Sequence, residues 1–101
     1  MKLKSSMTQD GKAVKISIGQ RFNFDVHREF RHAYESAGKA IHEYIVDLGQ
    51  TDYMDSSALG MLLLLRDYAG GDTSSIKIIN CNNDLIKILS VSNFNKLFSL
   101  E

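Results

Sequence analysis

Strand-like and helix-like segments alternate along this chain, and the alternation restricts the folds that it can adopt. Residues 13–19 alternate between apolar and polar side chains, which favours a half-buried strand, and the apolar runs at 43–49 and 75–81 favour buried strands. Between these strands, residues 24–38 carry apolar side chains at helical spacing, residues 56–71 are rich in leucine, and glycine closes both segments. The pattern predicts strands that are joined through helices.

The two ends of the chain complete the pattern. Residues 2–8 are predicted to form an edge strand paired with the next one through a turn at 9–12, residues 82–92 a short helix, and residues 95–100 a last strand. The order β-β-α-β-α-β-α-β indicates an α/β fold with a mixed central sheet that helices cover. No linker or repeat divides residues 1–101, so we predict a single domain. Strand positions of one sheet, most of them buried, are expected at Val14, Ile16, Ile18, Ile45, Val46, Leu48, Ile76, Ile78 and Ile79.

Charge and cysteine content exclude several classes of protein. The 12 basic and 12 acidic residues balance, so the chain lacks the excess positive charge with which general nucleic-acid binders meet phosphates. Cys81 is the only cysteine, which excludes a disulfide within the chain and a thiolate metal cluster. The longest apolar run ends at Arg66, well short of the roughly 20 residues that cross a bilayer, and the N-terminus lacks a signal peptide's apolar core. We expect a cytoplasmic protein without direct contact with nucleic acid or membrane.

A polar junction separates the strand at 43–49 from the helix that follows it. Asp55 or Ser56 can cap the first unpaired backbone N–H groups of that helix. Ser56 and Ser57 then lie in its first turn, where the helix dipole favours negative charge and an added phosphate is tolerated. Gly60, one turn further, leaves room for the close approach of another backbone. Spacing alone leaves two interpretations open, which are plain helix capping and a phosphate-accepting site.

The helix after this junction is apolar on more than the stripe that a sheet would cover. A position between the sheet and a neighbouring helix accounts for most of that apolar surface. The remainder predicts an apolar docking face beside the serines. Met61 is the residue expected on that face, because methionine adapts to different partners.

Catalysis and metal binding find little support in the sequence. A nucleophilic Ser56 or Ser57 needs a histidine base, yet no G-x-S-x-G elbow is present, and His27, His32 and His42 are interspersed with charged residues. No carboxylate–histidine spacing repeats a known metal site. We therefore expect neither an enzyme nor a cofactor or metal site.

The stretch YIVDLGQTDYMDSSALGMLLLL, residues 44–65, resembles the signature of the STAS domain, which sulfate transporters and anti-sigma factor antagonists share. In it a strand ends in Asp-Leu, and after a short loop the motif D-S-S-x-L-G at 55–60 opens a helix. Single-domain anti-sigma factor antagonists are the most similar branch, because they carry Asp-Ser-Ser or Asp-Ser-Thr at this point. The element order over the whole chain agrees with the fold of that family. Two differences are Ala58, where the family often has glycine, and the stop at Glu101, where many members have a further helix.

The resemblance implies partner switching in a bacterial pathway of transcription regulation. In such pathways the unphosphorylated antagonist binds a kinase-type anti-sigma factor of the histidine-kinase-like ATPase fold, which then releases its sigma factor or another client. The kinase phosphorylates the serine after the motif aspartate, here Ser56, with Ser57 the less favoured acceptor, and the complex dissociates. A PP2C-type serine phosphatase restores the binding form. The residues expected at the partner interface are Asp52, Asp55, Ser57, Ala58, Gly60 and Met61.

A second function remains open on the same resemblance. Single-domain STAS proteins also serve as subunits of ABC-type lipid transporters, where they dock on an ATPase without a phosphorylation cycle. The paired serines favour the switching interpretation, because the transporter interpretation gives a phosphate-accepting hydroxyl no role.

Overall fold

The computed structural model describes residues 2–101 and contains one five-stranded sheet, a separate two-stranded sheet and three α-helices. In chain order the strands are β1 (Leu3–Met7), β2 (Ala13–Ile18), β3 (Arg21–Phe22), β4 (Glu43–Asp47), β5 (Tyr53–Met54), β6 (Ile76–Ile79) and β7 (Ser99–Leu100). The helices are α1 (His27–Glu35), α2 (Ser56–Ala69) and α3 (Asn83–Val91), and short 3₁₀ turns cover Phe24–Val26, Gly71–Thr73 and Phe94–Lys96.

The large sheet is mixed, as the element order predicts. Its strand order is β1-β2-β4-β6-β7; β1 runs antiparallel to β2, and the other three pairs are parallel. The predicted hairpin between β1 and β2 is present, and the Thr8 hydroxyl donates to the Asp10 carboxylate (2.6 Å) inside its turn. Gly11 takes a positive φ of 70° there, a conformation that glycine adopts without a steric penalty. The predicted α/β architecture is therefore confirmed.

All the buried apolar side chains belong to one core on a single face of the large sheet. The nine expected strand residues are buried except Ile45 and Ile79, which are half-exposed, and Leu48 is buried although it lies just beyond β4. Phe30 and Tyr34 of α1, Leu62 and Leu65 of α2, and Leu85 and Leu89 of α3 complete this core.

The opposite face of the sheet is polar and partly exposed, so β4 is half-buried and not the buried strand that its apolar run favours. Side chains alternate along β4, because successive residues of a strand point to opposite faces. Lys15 and Asp47 (3.4 Å) and Lys77 and Glu43 (3.3 Å) form ion pairs on that second face, around Ile45. The helices thus cover one face and leave the other to charged side chains.

Several element ends differ from the sequence predictions. The segment predicted as a helix from Phe24 begins with a 3₁₀ turn, and α1 proper starts at His27. The last strand is only Ser99–Leu100, because a 3₁₀ turn (Phe94–Lys96) covers the first residues of the predicted strand. The two-residue strands β3 and β5, which pair with each other, carry no periodicity long enough to predict them.

The longest helix, α2, has 14 residues. Across the part of the chain that the structure describes, no helix combines the length and the apolar character that a membrane span requires.

Two leucines of α2 test the one-sided core. Leu62 is 0% exposed and Leu64 is 60% exposed. Leu62→Ala should lower the free energy of unfolding by about 2–5 kcal/mol, because it removes packed methyl groups and leaves a cavity. Leu64→Ala, the same change on the same helix, should alter it by about 0.5 kcal/mol or less. Urea denaturation of both variants measures the difference, and similar losses would contradict the assignment of the buried face.

Candidate functional site

The polar junction, residues 48–57, follows the carboxyl end of β4 and leads into α2. The two short strands β3 and β5 hold this segment in place, with Arg21 opposite Tyr53 and Phe22 opposite Met54 in parallel register. The backbone N–H of Asp52 also donates to the carbonyl of Gln20 (2.9 Å). The segment that precedes the serines is therefore tied to the chain just after β2.

Thr51 anchors the same loop from inside. It is the one buried polar residue among residues 2–101, with 3% of its surface exposed. Its hydroxyl lies 2.7 Å from the carbonyl oxygen of Gly19 and 3.4 Å from that of Ile18. Its own carbonyl accepts from the side-chain amide of Asn82 (3.3 Å), the residue that also caps α3. One threonine thus connects the end of β2, the loop and the start of α3.

Asp55 is the N-cap of α2, as one of the two sequence alternatives proposes. Its backbone is extended (φ −123°, ψ −175°), and its Oδ1 accepts from the N–H groups of Ser57 (3.1 Å) and Ala58 (3.2 Å). The hydroxyl of Ser57 donates to the same oxygen at 2.6 Å. That hydroxyl, followed by the two backbone N–H groups, lowers the pKa of the Asp55 carboxyl below its usual range, because each donor stabilises the charged form.

The two serines have different surroundings. Ser57 is half-buried, and its hydroxyl is engaged with Asp55. Ser56 is the first residue of α2 and is exposed, and within residues 2–101 its hydroxyl makes no hydrogen bond. A reagent that approaches the start of α2 from solvent therefore meets the Ser56 hydroxyl without having to break a contact.

Charged and aromatic groups lie in the loop and the short strands that precede α2. Asp52 is exposed and accepts from the side-chain amide of Gln20 (3.0 Å). The guanidinium of Arg21 lies 4.1 Å from the centre of the Tyr53 ring, a cation–π contact. Sequence reasoning missed Arg21 and Tyr53, because only the pairing of β3 with β5 brings them together.

The outer face of α2 differs from the expected one. Ala58 and Met61 were expected at the partner interface, yet both are buried, Met61 with 6% of its surface exposed. They belong to the stripe of α2 that faces the core, which recurs at helical spacing: Ala58, Met61, Leu62 and Leu65. Both residues are therefore removed from the candidate contact set, and Leu63 and Leu64 take the exposed apolar positions.

Gly60 is exposed, in agreement with its expected place beside the serines. A Cβ added at Gly60 would meet no heavy atom within 4 Å, so packing inside the domain does not require glycine there. Asp52, Asp55, Ser57 and Gly60 remain as candidate contacts around Ser56.

The histidines, the cysteine and the acidic residues were also candidates for chemistry. Nδ1 of His27 lies 2.7 Å from the carbonyl oxygen of Phe24, and no histidine is hydrogen-bonded to Ser56 or Ser57 in the described part of the chain. Burial, followed by the nearby Asp47 charge, raises the pKa of the Cys81 thiol, which disfavours the reactive thiolate. Among residues 2–101, no group of three or more histidine, cysteine or acidic side chains is arranged to hold a metal ion.

The chain is similar in sequence to known STAS-domain proteins. Residues 5–100 match the family model described as "Mlab, STAS domain". A STAS-domain containing protein of Pseudomonas aeruginosa (strain UCBPP-PA14) is 50% identical over 91 residues, which cover 90% of each chain.

Solved structures share the fold at low sequence identity. The anti-sigma factor antagonist SpoIIAA in its unphosphorylated form superposes with a TM-score of 0.82 at 16% identity, covering 98% of this chain and 87% of that one. The phosphorylated form of SpoIIAA from Bacillus gives 0.69 at 14% identity, with 98% and 90% covered. A sulfate transporter family protein from Wolinella succinogenes gives 0.74 at 11% identity, with 92% and 79% covered.

The Thr51 anchor is tested by removing its hydroxyl. Thr51→Val should lower the free energy of unfolding by about 1–3 kcal/mol, because it removes the hydroxyl of a buried residue and withdraws the donor from the partly buried Gly19 carbonyl. The control is Thr73→Val, which removes a hydroxyl of similar geometry (2.9 Å to the Gly70 carbonyl) at an exposed site and should change it by about 0.5 kcal/mol. Chemical denaturation compares the two, and an equal effect would contradict the anchoring role.

The helix cap is tested by Asp55→Ala, which should lower the free energy of unfolding by about 0.5–2 kcal/mol at pH 7. Ser56→Ala is the control and should be nearly neutral, because its hydroxyl makes no hydrogen bond within residues 2–101. The folded pKa of Asp55 is lowered, so its contribution is complete above the unfolded value of about 3.9 and disappears as pH falls through the folded value. Denaturation at pH 7 and pH 3 should therefore show the Asp55→Ala effect shrinking; a constant effect would argue against the charged cap.

Proposed function

This chain belongs to the STAS domain family, and we propose that it is an anti-sigma factor antagonist in a bacterial partner-switching pathway. In its unphosphorylated form it binds a serine kinase of the histidine-kinase-like ATPase fold that acts as the anti-sigma factor, and the client of that kinase is released. Phosphorylation of Ser56 dissociates the complex, and a PP2C-type phosphatase regenerates the binding form. The protein is the substrate and ligand of these enzymes in the cytoplasm, and it is not itself an enzyme.

The observation that carries this proposal is the exposed hydroxyl of Ser56 directly after the capping carboxylate of Asp55. A kinase must bring the hydroxyl in line with the γ-phosphate of ATP, and an exposed hydroxyl at a helix start can reach that position without breaking a hydrogen bond of its own domain. In the transfer, the Ser56 Oγ bonds to the γ-phosphorus, the bond to the β–γ bridging oxygen breaks, and ADP leaves with that oxygen. The hydroxyl proton passes to a base of the kinase or to solvent.

The charge of the phosphate explains how it would act as a switch. Phosphorylation adds about −1.5 to −2 charges at neutral pH, at the residue after Asp55 and four residues after Asp52. In the free protein, solvent screens this charge and the start of α2 tolerates it. In a complex, the same charge loses its hydration and is repelled by both carboxylates. The complex therefore weakens without a change of fold in the antagonist.

The neighbouring surface suits a protein partner. Gly60 and the exposed Leu63 and Leu64 continue along α2 from Ser56, so apolar contact area adjoins the acceptor hydroxyl. The solved structures of SpoIIAA in both phosphorylation states support the proposal at the level of the fold.

Phosphate mapping is the direct test of this function. The protein is incubated with ATP, Mg²⁺ and the histidine-kinase-like serine kinase of its own genome, and mass spectrometry locates the phosphate while calorimetry measures kinase binding. We expect phosphate on Ser56 and loss of most of the affinity, tenfold or more, equivalent to about 1.4 kcal/mol. Ser56→Ala should bind but not be modified. Ser56→Asp should weaken binding in part, because one carboxylate carries less charge than phosphate.

Two outcomes would contradict this function. Tight kinase binding by fully phosphorylated protein would exclude the switch. Stable binding to a transporter ATPase, with no phosphate on any serine, would instead support the role of a STAS subunit in an ABC-type lipid transporter.

A further inference from the structure

The start of α2 contains one more hydrogen bond than a helix cap needs. Two backbone N–H groups on Asp55 Oδ1 already satisfy the usual capping geometry. The Ser57 hydroxyl adds a third donor to the same oxygen, and at 2.6 Å it is the shortest of the three contacts. Such a short O–H···O⁻ contact is typical of a charge-assisted hydrogen bond, which is stronger than one between neutral groups.

This third bond makes the two adjacent serines chemically unequal. To accept a phosphate, Ser57 would have to give up the proton that it donates to Asp55, and the new dianion would lie against that carboxylate. The cap would then lose a donor and gain a repulsive neighbour. Phosphate on Ser56 would take no donor from the cap, because the Ser56 hydroxyl makes no hydrogen bond in the described part of the chain and the residue is exposed.

We propose that Ser57 is a positioning residue: its hydroxyl holds the Asp55 carboxylate on the helix start, which presents Ser56 as the single phosphate acceptor and withholds Ser57. This inference rests on the proposed function, because it explains how one kinase distinguishes two neighbouring hydroxyls. Ser57 acts through Asp55 and takes no part in the transfer itself. The lowered pKa of Asp55, to which the Ser57 hydroxyl is the largest contributor, agrees with this geometry.

Holding the carboxylate also defines the surface that the kinase meets. With Oδ1 occupied by three donors, the other oxygen of Asp55 makes no hydrogen bond among residues 2–101 and is available to a partner. Without the Ser57 hydroxyl, the carboxylate keeps only the backbone donors and gains rotational freedom. The acceptor and its neighbouring charge would then be less well ordered in the complex, which lowers the rate of transfer more than the folding stability.

The test compares Ser57→Ala with Ser57→Thr, which keeps a hydroxyl, and with Ser90→Ala, a control at an exposed serine on α3. In the free protein, NMR titration of the Asp55 carboxyl carbon should show its pKa rising toward the ordinary aspartate value in Ser57→Ala. Ser57→Thr and Ser90→Ala should keep the wild-type value. This readout requires no kinase.

The same variants are then phosphorylated with the kinase, ATP and Mg²⁺. We expect kcat for Ser56 to fall about tenfold in Ser57→Ala with a smaller change in KM, and Ser57→Thr to restore it. In Ser56→Ala, no phosphate should accumulate on Ser57.

The outcomes separate this inference from the function on which it rests. An unchanged Asp55 pKa and an unchanged kcat in Ser57→Ala would overturn the positioning role while leaving Ser56 as the acceptor. Phosphate on Ser57 at a rate comparable to Ser56 would overturn the selection of one serine. Absence of phosphate on both serines of the wild-type protein would overturn the proposed function, whatever the carboxyl titration shows.

Discussion

The parallel pairing of β2 with β4 is the constraint on which the rest of the structure depends. It places Ile16 beside Val46, so both strands turn their apolar side chains to the same face, and the helices pack there. It also sets the carboxyl ends of the two strands side by side. The segment after β2 and the loop after β4 can then pair as β3 and β5, and Thr51 can reach the carbonyl of Gly19.

The position of the candidate site follows from that pairing through a short chain of contacts. Thr51 and the β3–β5 pair fix the loop after β4. The loop places Asp55 at the start of α2, where its carboxylate accepts from the first N–H groups of the helix. These contacts are the side-chain hydrogen bond of Thr51, the backbone pairing of β3 with β5 and the capping bonds of Asp55. The Ser56 hydroxyl is therefore supported on a rigid base although it lies on the surface.

A rigid base suits a switch that depends on charge. In the proposed switch, an acceptor that is already in place would cost the kinase little binding energy to order. The phosphate that we propose on Ser56 would then act where it is attached, by repulsion and by the cost of removing its hydration in a complex.

The sequence by itself determined the order of strands and helices, the mixed sheet, the capping role open to Asp55 and the position of the serines, because these depend on periodicity and on signals within a few residues.

Only the tertiary structure decided which face of each element is buried. Ile45 is half-exposed although it lies in an apolar run. Met61 faces the core of the domain, although the helix that carries it is apolar nearly all round. The contacts of Thr51 and the contact of Arg21 with Tyr53 were also decided by the tertiary structure. Thr51 bonds to a residue more than 30 positions away along the chain, and Arg21 meets Tyr53 only when the distant strands β3 and β5 pair. The difference between Ser56 and Ser57 also belongs to the structure. The residues are adjacent and chemically identical, and only the geometry of the first helical turn places the Ser57 hydroxyl on the Asp55 carboxylate and leaves Ser56 exposed.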